Sequence, residues 1–211
     1  MGTTYEGMLV MADAAPVCAA LSAAGWTAIV APVGAGRTAV VPREGAYGIA
    51  EVDTLGELLS GAGAGFDVLV HSVFDSDLLS LYVYRGGESV HVYHSEMGYL
   101  GQPFEDEHGV MKIEFDDVLY DADDPALPIG PRGADPAAFA PFGTGTVDLA
   151  RLGALLRGEN LTEDEQIFAE HRHWSVAESL NLRPSPLTTA YRHTKASDHP
   201  EAVLIAAGTS D

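Results

Sequence analysis

The sequence predicts an α+β protein: an antiparallel sheet from a duplicated helix-plus-hairpin unit, helices on one face, and a C-terminal helical part. Three observations carry this. Residues 1–97 alternate strand-like and helix-like patterns separated by glycine turns. Moving the chain by 40 residues lays Asp13 on Asp53, Gly25 on Gly65, Trp26 on Phe66, Val30 on Val70 and Val33 on Val73. After residue 147 the apolar period becomes that of amphipathic helices. Hydrophobic residues make up 46% of the 211, enough to bury a core rather than leave a disordered chain.

The elements follow in order. "EGMLVMA" reads as a strand. Asp13 is placed to cap a helix that carries Pro16 in its first turn, runs to Ala24 and stops at Gly25. "WTAIVAPV" and "RTAVVP" form a hairpin around "GAG". Asp53 is expected to cap "TLGELLSGA". "FDVLVHSVF" and "LLSLYVYR" are strands joined at "DSD", and Gly86-Gly87 supplies the positive φ angles of a tight turn into "ESVHVY". A hairpin has one apolar face and cannot bury it alone, so two such units are expected to share one sheet under both helices.

Residues 98–146 read as a connection, first acidic and then rich in Pro and Gly, with a strand-like run at "MKIEF" and a helical turn at "DPAAFA". Residues 147–211 read as helical with a tail. "VDLARLGALLRG" is an amphipathic helix stopped by Gly158. Thr162 and Glu165 have capping-box spacing. Ile167, His171, Trp174, Ala177 or Glu178, and Asn181 trace the expected stripe, widened by Phe168, Val176 and Leu180. The tail ends in a final strand or a disordered stretch. All of this is compatible with one domain.

With 31 acidic and 11 basic residues the formal charge is −20. Such a chain repels nucleic-acid phosphates and anionic lipid at long range and attracts basic partners. The single cysteine, Cys18, excludes an internal disulfide and fits a reducing, cytoplasmic setting. No apolar run reaches the length of a membrane span, and the N-terminus lacks the basic and apolar regions of a signal peptide.

Motifs for chemistry are sparse. His91 and His94 point to opposite faces of a strand, and His171 and His173 lie about 200° apart on a helix. Neither pair suits one metal ion, and both read as surface or packing residues. Asp75 and Asp77 suit a turn, or a pair that holds Mg²⁺ or acts as acid and base. "GAGAGFD" follows a helix and precedes a strand, the reverse of a dinucleotide fingerprint. No cofactor or metal is expected, and an enzyme would need a site assembled across the sheet. The acids Asp75, Asp77, Glu105, Asp106, Glu107, Asp116 and Asp117 are the candidate surface for a protein partner with a basic face.

Residues 174–193, "WSVAESLNLRPSPLTTAYRH", allow another function. Ala177, Leu180, Leu182, Leu187 and Ala190 occupy the small and apolar places of a helix-turn-helix, with Asn181 at the turn. The segment resembles that motif of DNA-binding regulators, and the resemblance implies Ser185, Thr188, Thr189 and Arg192 as groove-facing residues. An extended return to the sheet explains the same residues. The hairpin "DSDLLSLYVYRGGESVHVYHSE" and the helix "HRHWSVAESLNL" also resemble a group of uncharacterised small acidic bacterial α+β proteins. In general character the chain is similar to small acidic proteins that neutralise toxins, which implies an immunity-like or regulatory role. The leading expectation is therefore a non-enzymatic protein-binding or regulatory protein.

Overall fold

A computed structural model describes residues 2–45, 48–115 and 117–206. Its largest sheet has seven antiparallel strands in the order β10-β2-β3-β1-β4-β5-β6. The strands are β1 (Tyr5–Val10), β2 (Ala28–Gly34), β3 (Arg37–Pro42), β4 (Val68–Phe74), β5 (Leu78–Arg85), β6 (Glu88–His94) and β10 (Val203–Ile205). β1 is central: Met8 pairs with Val40 of β3 and with Val70 of β4. The α+β class and the antiparallel sheet stand as expected.

Period-two alternation sends the side chains of β1 into two separate cores. Met8 and Val10 meet Val17, Leu21, Leu55 and Leu59 on one side. Tyr5 and Leu9 meet Phe139, Leu152, Val176 and Leu180 on the other. The first core lies under α1 (Ala14–Ala23) and α2 (Val52–Ser60), the two helices expected on one face. The second lies under α3 (Pro136–Phe139), α4 (Leu149–Leu156) and α6 (Ala169–Ser179). The sheet is thus covered on both faces. Full burial of each Leu, Val or Phe contributes about 1.5–3 kcal/mol, so neither layer is dispensable.

The two helix-plus-hairpin units correspond closely. β2 and β4 are seven residues each and start forty residues apart, with nearly the same burial pattern. Gly86 and Gly87 both have positive φ, as the β5–β6 turn requires. Thr162 and Glu165 form the capping box at α5 (Glu163–Ile167). Asn181 takes the left-handed conformation after α6, φ 57°, and its amide donates to the carbonyls of Thr144 and Thr146 at 2.8 and 3.1 Å.

Several expectations change. Asp53 does not cap α2. The helix starts at Val52 after Glu51, and Asp53 instead accepts the Tyr84 hydroxyl at 2.8 Å. The acidic connection is not irregular, because it folds into a second sheet of β7 (Gln102–Glu105), β8 (Met111–Phe115) and β9 (Val118–Asp121). A C-terminal helical part beginning at residue 147 is not clearly set off, since the helices of that layer begin at Pro136. They cover the sheet, and the chain then returns through turns to β10, which pairs with β2.

The inward stripe of the 163–179 region is also displaced. The helix breaks at Phe168, where φ −119° and ψ 115° are extended, so the register does not carry through. Ile167 and Trp174 are 53% and 46% exposed, while Ala169, His173, Val176 and Ala177 face the core. Beyond Asn181, residues 185–188 are turns, with a 3-10 turn at Tyr191–His193. No α-helix follows α6 among the described residues. Leu187 and Ala190 pack into the core, and Arg192 pairs with Glu44 at 2.8 Å. Ser185, Thr188, Thr189 and Arg192 therefore have no recognition helix to stand on, and the segment is the irregular return to the sheet.

Asn181 supplies a direct test of this ending. Asn181→Ala is expected to destabilise the protein by about 1–3 kcal/mol, through left-handed strain and two lost hydrogen bonds. Asn181→Gly recovers only the backbone part. Urea unfolding checks this, and equal midpoints for the two variants would remove the backbone contribution.

Candidate functional site

The three-stranded sheet forms a small acidic arm. Residues 102–124 carry nine carboxylates against one lysine. Its strands pack chiefly on one another. Cross-strand pairs hold it together: Pro103 opposite Ile113, and Ile113 opposite Tyr120. Phe115, buried, meets Tyr120 edge to face with centroids 6.3 Å apart. Alternation places the exposed Phe104 and Leu119 on one face and the exposed Met111 and Val118 on the other.

The acids of the arm play different parts. The Asp106 carboxylate accepts from the amides of His108 and Val110, both at 2.9 Å. These bonds, with Val110 the larger contributor, hold it below the usual carboxylate range and shape the β7–β8 turn. Glu105 and Glu107 flank Asp106 and are exposed. Lys112 pairs with Asp121 across the sheet. Asp117 sits at the β8–β9 turn with φ 63°. Asp116 lies outside the described residues.

Where the arm meets the main sheet there is a cleft of about 590 Å³. Its walls include Val92, Met97 and Phe115, with Glu114, Asp117 and Arg132 as charged groups. His94 borders it, with its Nδ1 2.9 Å from the Ser80 hydroxyl. Desolvation, and then the positive Arg132, push this imidazole below its ordinary value. The chain around residue 133 clasps the edge of β6. Arg132 and His94 exchange backbone hydrogen bonds, and Gly133 passes so close that a Cβ there would lie 1.9 Å from the Val92 carbonyl oxygen.

Asp75 and Asp77 stand apart from the arm's tip, at the β4–β5 turn. Asp75 accepts from the Gly2 amide at 2.9 Å, and Ser76 bonds Thr3, which explains positive φ at two non-glycine residues. This is the turn reading of "DSD". Asp77 bonds the exposed Tyr99 hydroxyl. Desolvation and then this bond raise that phenol, with Glu96 and Asp75 adding negative charge. The sequence-selected acids thus divide among the turn at 75–77, the β7–β8 turn, and the β8–β9 turn at the other end of β8, about 17 Å from the second.

A second cluster escaped sequence reading. His71 of β4 and His173 of α6 are 2% and 4% exposed, with ring centroids 4.4 Å apart. The Tyr5 hydroxyl is 2.9 Å from Nδ1 of His173. Burial lowers both imidazoles, that of His173 to about 3, and raises the Tyr5 phenol. His71 lies directly opposite Gly7 on β1, where a Cβ would sit 2.7 Å from its Nε2. The signal was the alternation Leu69, His71, Val73, which puts an imidazole on an otherwise apolar face. The cavity beside the pair measures only about 10 Å³, at the lower limit for one water. A substrate has no room there.

Among the described residues, no three His, Cys, Asp or Glu side chains converge to hold a metal ion, and no helix is long and apolar enough to cross a membrane. Cys18 is partly buried, and burial pushes its thiol up. No protein-family model, curated protein or solved structure matches the chain.

The tight fit of the histidine pair makes Gly7→Ala informative. The added methyl is expected to displace His71 and destabilise the protein by about 1–3 kcal/mol, as overpacking does. Chemical denaturation of the variant checks this, and unchanged stability would show that the imidazole has room to move.

Proposed function

We propose that this is a non-enzymatic protein-binding protein whose acidic arm docks a basic, amphipathic segment of a partner protein. The observation that carries the reading is the joint presence of apolar and acidic side chains on the arm. Phe104 and Leu119 share a face with Glu114 and Asp121, and Glu105 and Glu107 flank its tip. Apolar studs supply contact area, and surrounding carboxylates steer and orient a cationic partner. The cleft at the arm's base is wide enough for a partner side chain.

The role this fits is that of a regulatory or immunity-like protein, which holds a basic protein by surface complementarity. The lone Cys18 suits a reducing cytoplasm. The forty-residue correspondence of the two helix-plus-hairpin units fits a tandem duplication of the scaffold.

The test uses a fluorescent Lys/Leu amphipathic peptide in anisotropy titrations, beside a Glu/Leu peptide of the same pattern. Binding of the basic peptide is expected to weaken as salt rises and to fall about tenfold or more in a Glu105→Lys/Glu107→Lys/Leu119→Ser variant. A Glu51→Lys/Glu57→Lys variant makes the same charge change at the start and on the face of α2 and is expected to retain most of the affinity. Equal losses in the two variants would reduce the effect to net charge and defeat the assignment to the arm.

A further inference from the structure

We propose that the His71–His173 pair is an acid-sensitive clamp: protonation of either imidazole releases α6 and residues 182–190 from the sheet. This is independent of what the arm binds. The geometry makes the pair a junction. His71 comes from β4, His173 from α6 and Tyr5 from β1, and the Leu187 backbone bonds His71 from the returning chain. Leu9, Leu69 and Leu81 of the sheet close one side, while Val176, Leu180, Leu182 and Leu187 close the other.

The groups facing the pair offer little to an added proton. From β1 they are Tyr5 and the bare backbone of Gly7. The nearby carboxylate of α6, Glu170, accepts the Ser76 hydroxyl through Oε1 at 3.0 Å, and its charge acts on Tyr5 rather than on either imidazole. Its Oε2 is buried without a hydrogen-bond partner. The segment after Asn181 offers a backbone group at Leu187 rather than a carboxylate. An imidazolium here would be desolvated and would stand against a second imidazole at 4.4 Å. With about 10 Å³ of free space, water reaches it only if α6 and the sheet part.

The direction in pH follows from linkage. Both imidazoles are lowered in the folded protein, so below the ordinary histidine range the opened state takes up protons that the closed state refuses. Stability is lost as pH falls from about 6.5 toward the folded value. With His173 at about 3, that residue alone raises the opening equilibrium about thirtyfold at pH 5, and His71 adds in the same direction. The other sheet face behaves oppositely. Glu6 of β1 accepts from the Ala50 amide at 2.7 Å, and burial raises its carboxyl, so acid favours the folded form there. Release is therefore one-sided.

Hydrogen exchange read as protection factors at pH 7.5 and pH 5 tests this, because the intrinsic pH dependence divides out. Protection in α6 and residues 182–190 is expected to fall at least tenfold at pH 5, while α1 and α2 keep theirs. A His71→Gln/His173→Asn variant is expected to abolish the difference. Equal loss on α1 and α2, or the same pH response in the variant, would overturn the clamp. Should the variant not fold, side-chain NMR titration of the two imidazoles in the unaltered protein decides. Both staying neutral at pH 5 while folded supports the clamp, and either titrating near the ordinary histidine value in the closed fold defeats it.

Discussion

β1 is hydrogen-bonded along both edges, to β3 and to β4, and both of its faces are buried. That constraint governs the rest. A central strand with no exposed face needs a layer on each side, and one pair of helices covers only one. The returning chain from residue 135 onward therefore supplies the second layer. The same strand carries its polar residues under duress. Glu6 needs the Ala50 amide and Ser72, Tyr5 needs His173, and Gly7 is bare because His71 occupies the space opposite. The most central strand thus positions the most unusual buried groups.

The first half of the fold was legible because its signals are local. Gly86-Gly87, the helix stops and the period of each strand act within a few residues. Three features were not local. The arm is too polar for period-two counting, since Glu114 and Asp121 share a face with Phe104 and Leu119. The helix stripe slipped because Phe168 interrupts the helix, and a break of one residue rotates everything after it. That rotation exchanged His171 for His173 as the buried histidine. The Asp75-Ser76 turn was readable as chemistry or as structure, and the amides of Gly2 and Thr3, over seventy residues away, decide for structure. Asn181 shows the reverse case. Its left-handed stop was evident from sequence, but a stop does not say whether a helix or a turn follows.

The charge of −20 is also easier to understand against the two layers. Among the described residues few carboxylates lie inside the molecule: Glu6 accepts from the Ala50 amide and Ser72, and Glu170 accepts from Ser76 through one oxygen only. Most of the other described carboxylates lie on the arm, on turns and on outward helix positions such as Glu57, Asp164 and Glu178, where water and salt screen their repulsion. An arm of this charge is held by apolar cross-strand pairs rather than ion pairs. Lys112 with Asp121 is partly exposed, and solvent screening leaves such a bond only a small contribution. Concentrating acids on an element that packs chiefly on itself gives a strong local field without straining either core.

α6 is where these parts meet. Glu170 reaches the β4–β5 turn through Ser76, and the Ala169 amide donates to the Ser76 carbonyl at 2.7 Å. Arg172 spans from the Glu165 carbonyl to that of Ser95, both at 3.4 Å, just ahead of the segment that leads into the arm. His173 enters the core against His71. These contacts all come from residues 169–173, little more than the first turn of a helix of eleven residues. A displacement of α6 would loosen the Ser95 contact at the arm's base and the Ser76 contact at the neighbouring turn together. Physical contiguity of this kind is a route for coupling, and it becomes coupling only if α6 has two positions with different consequences for the arm. The buried imidazoles give the helix a reason to have two.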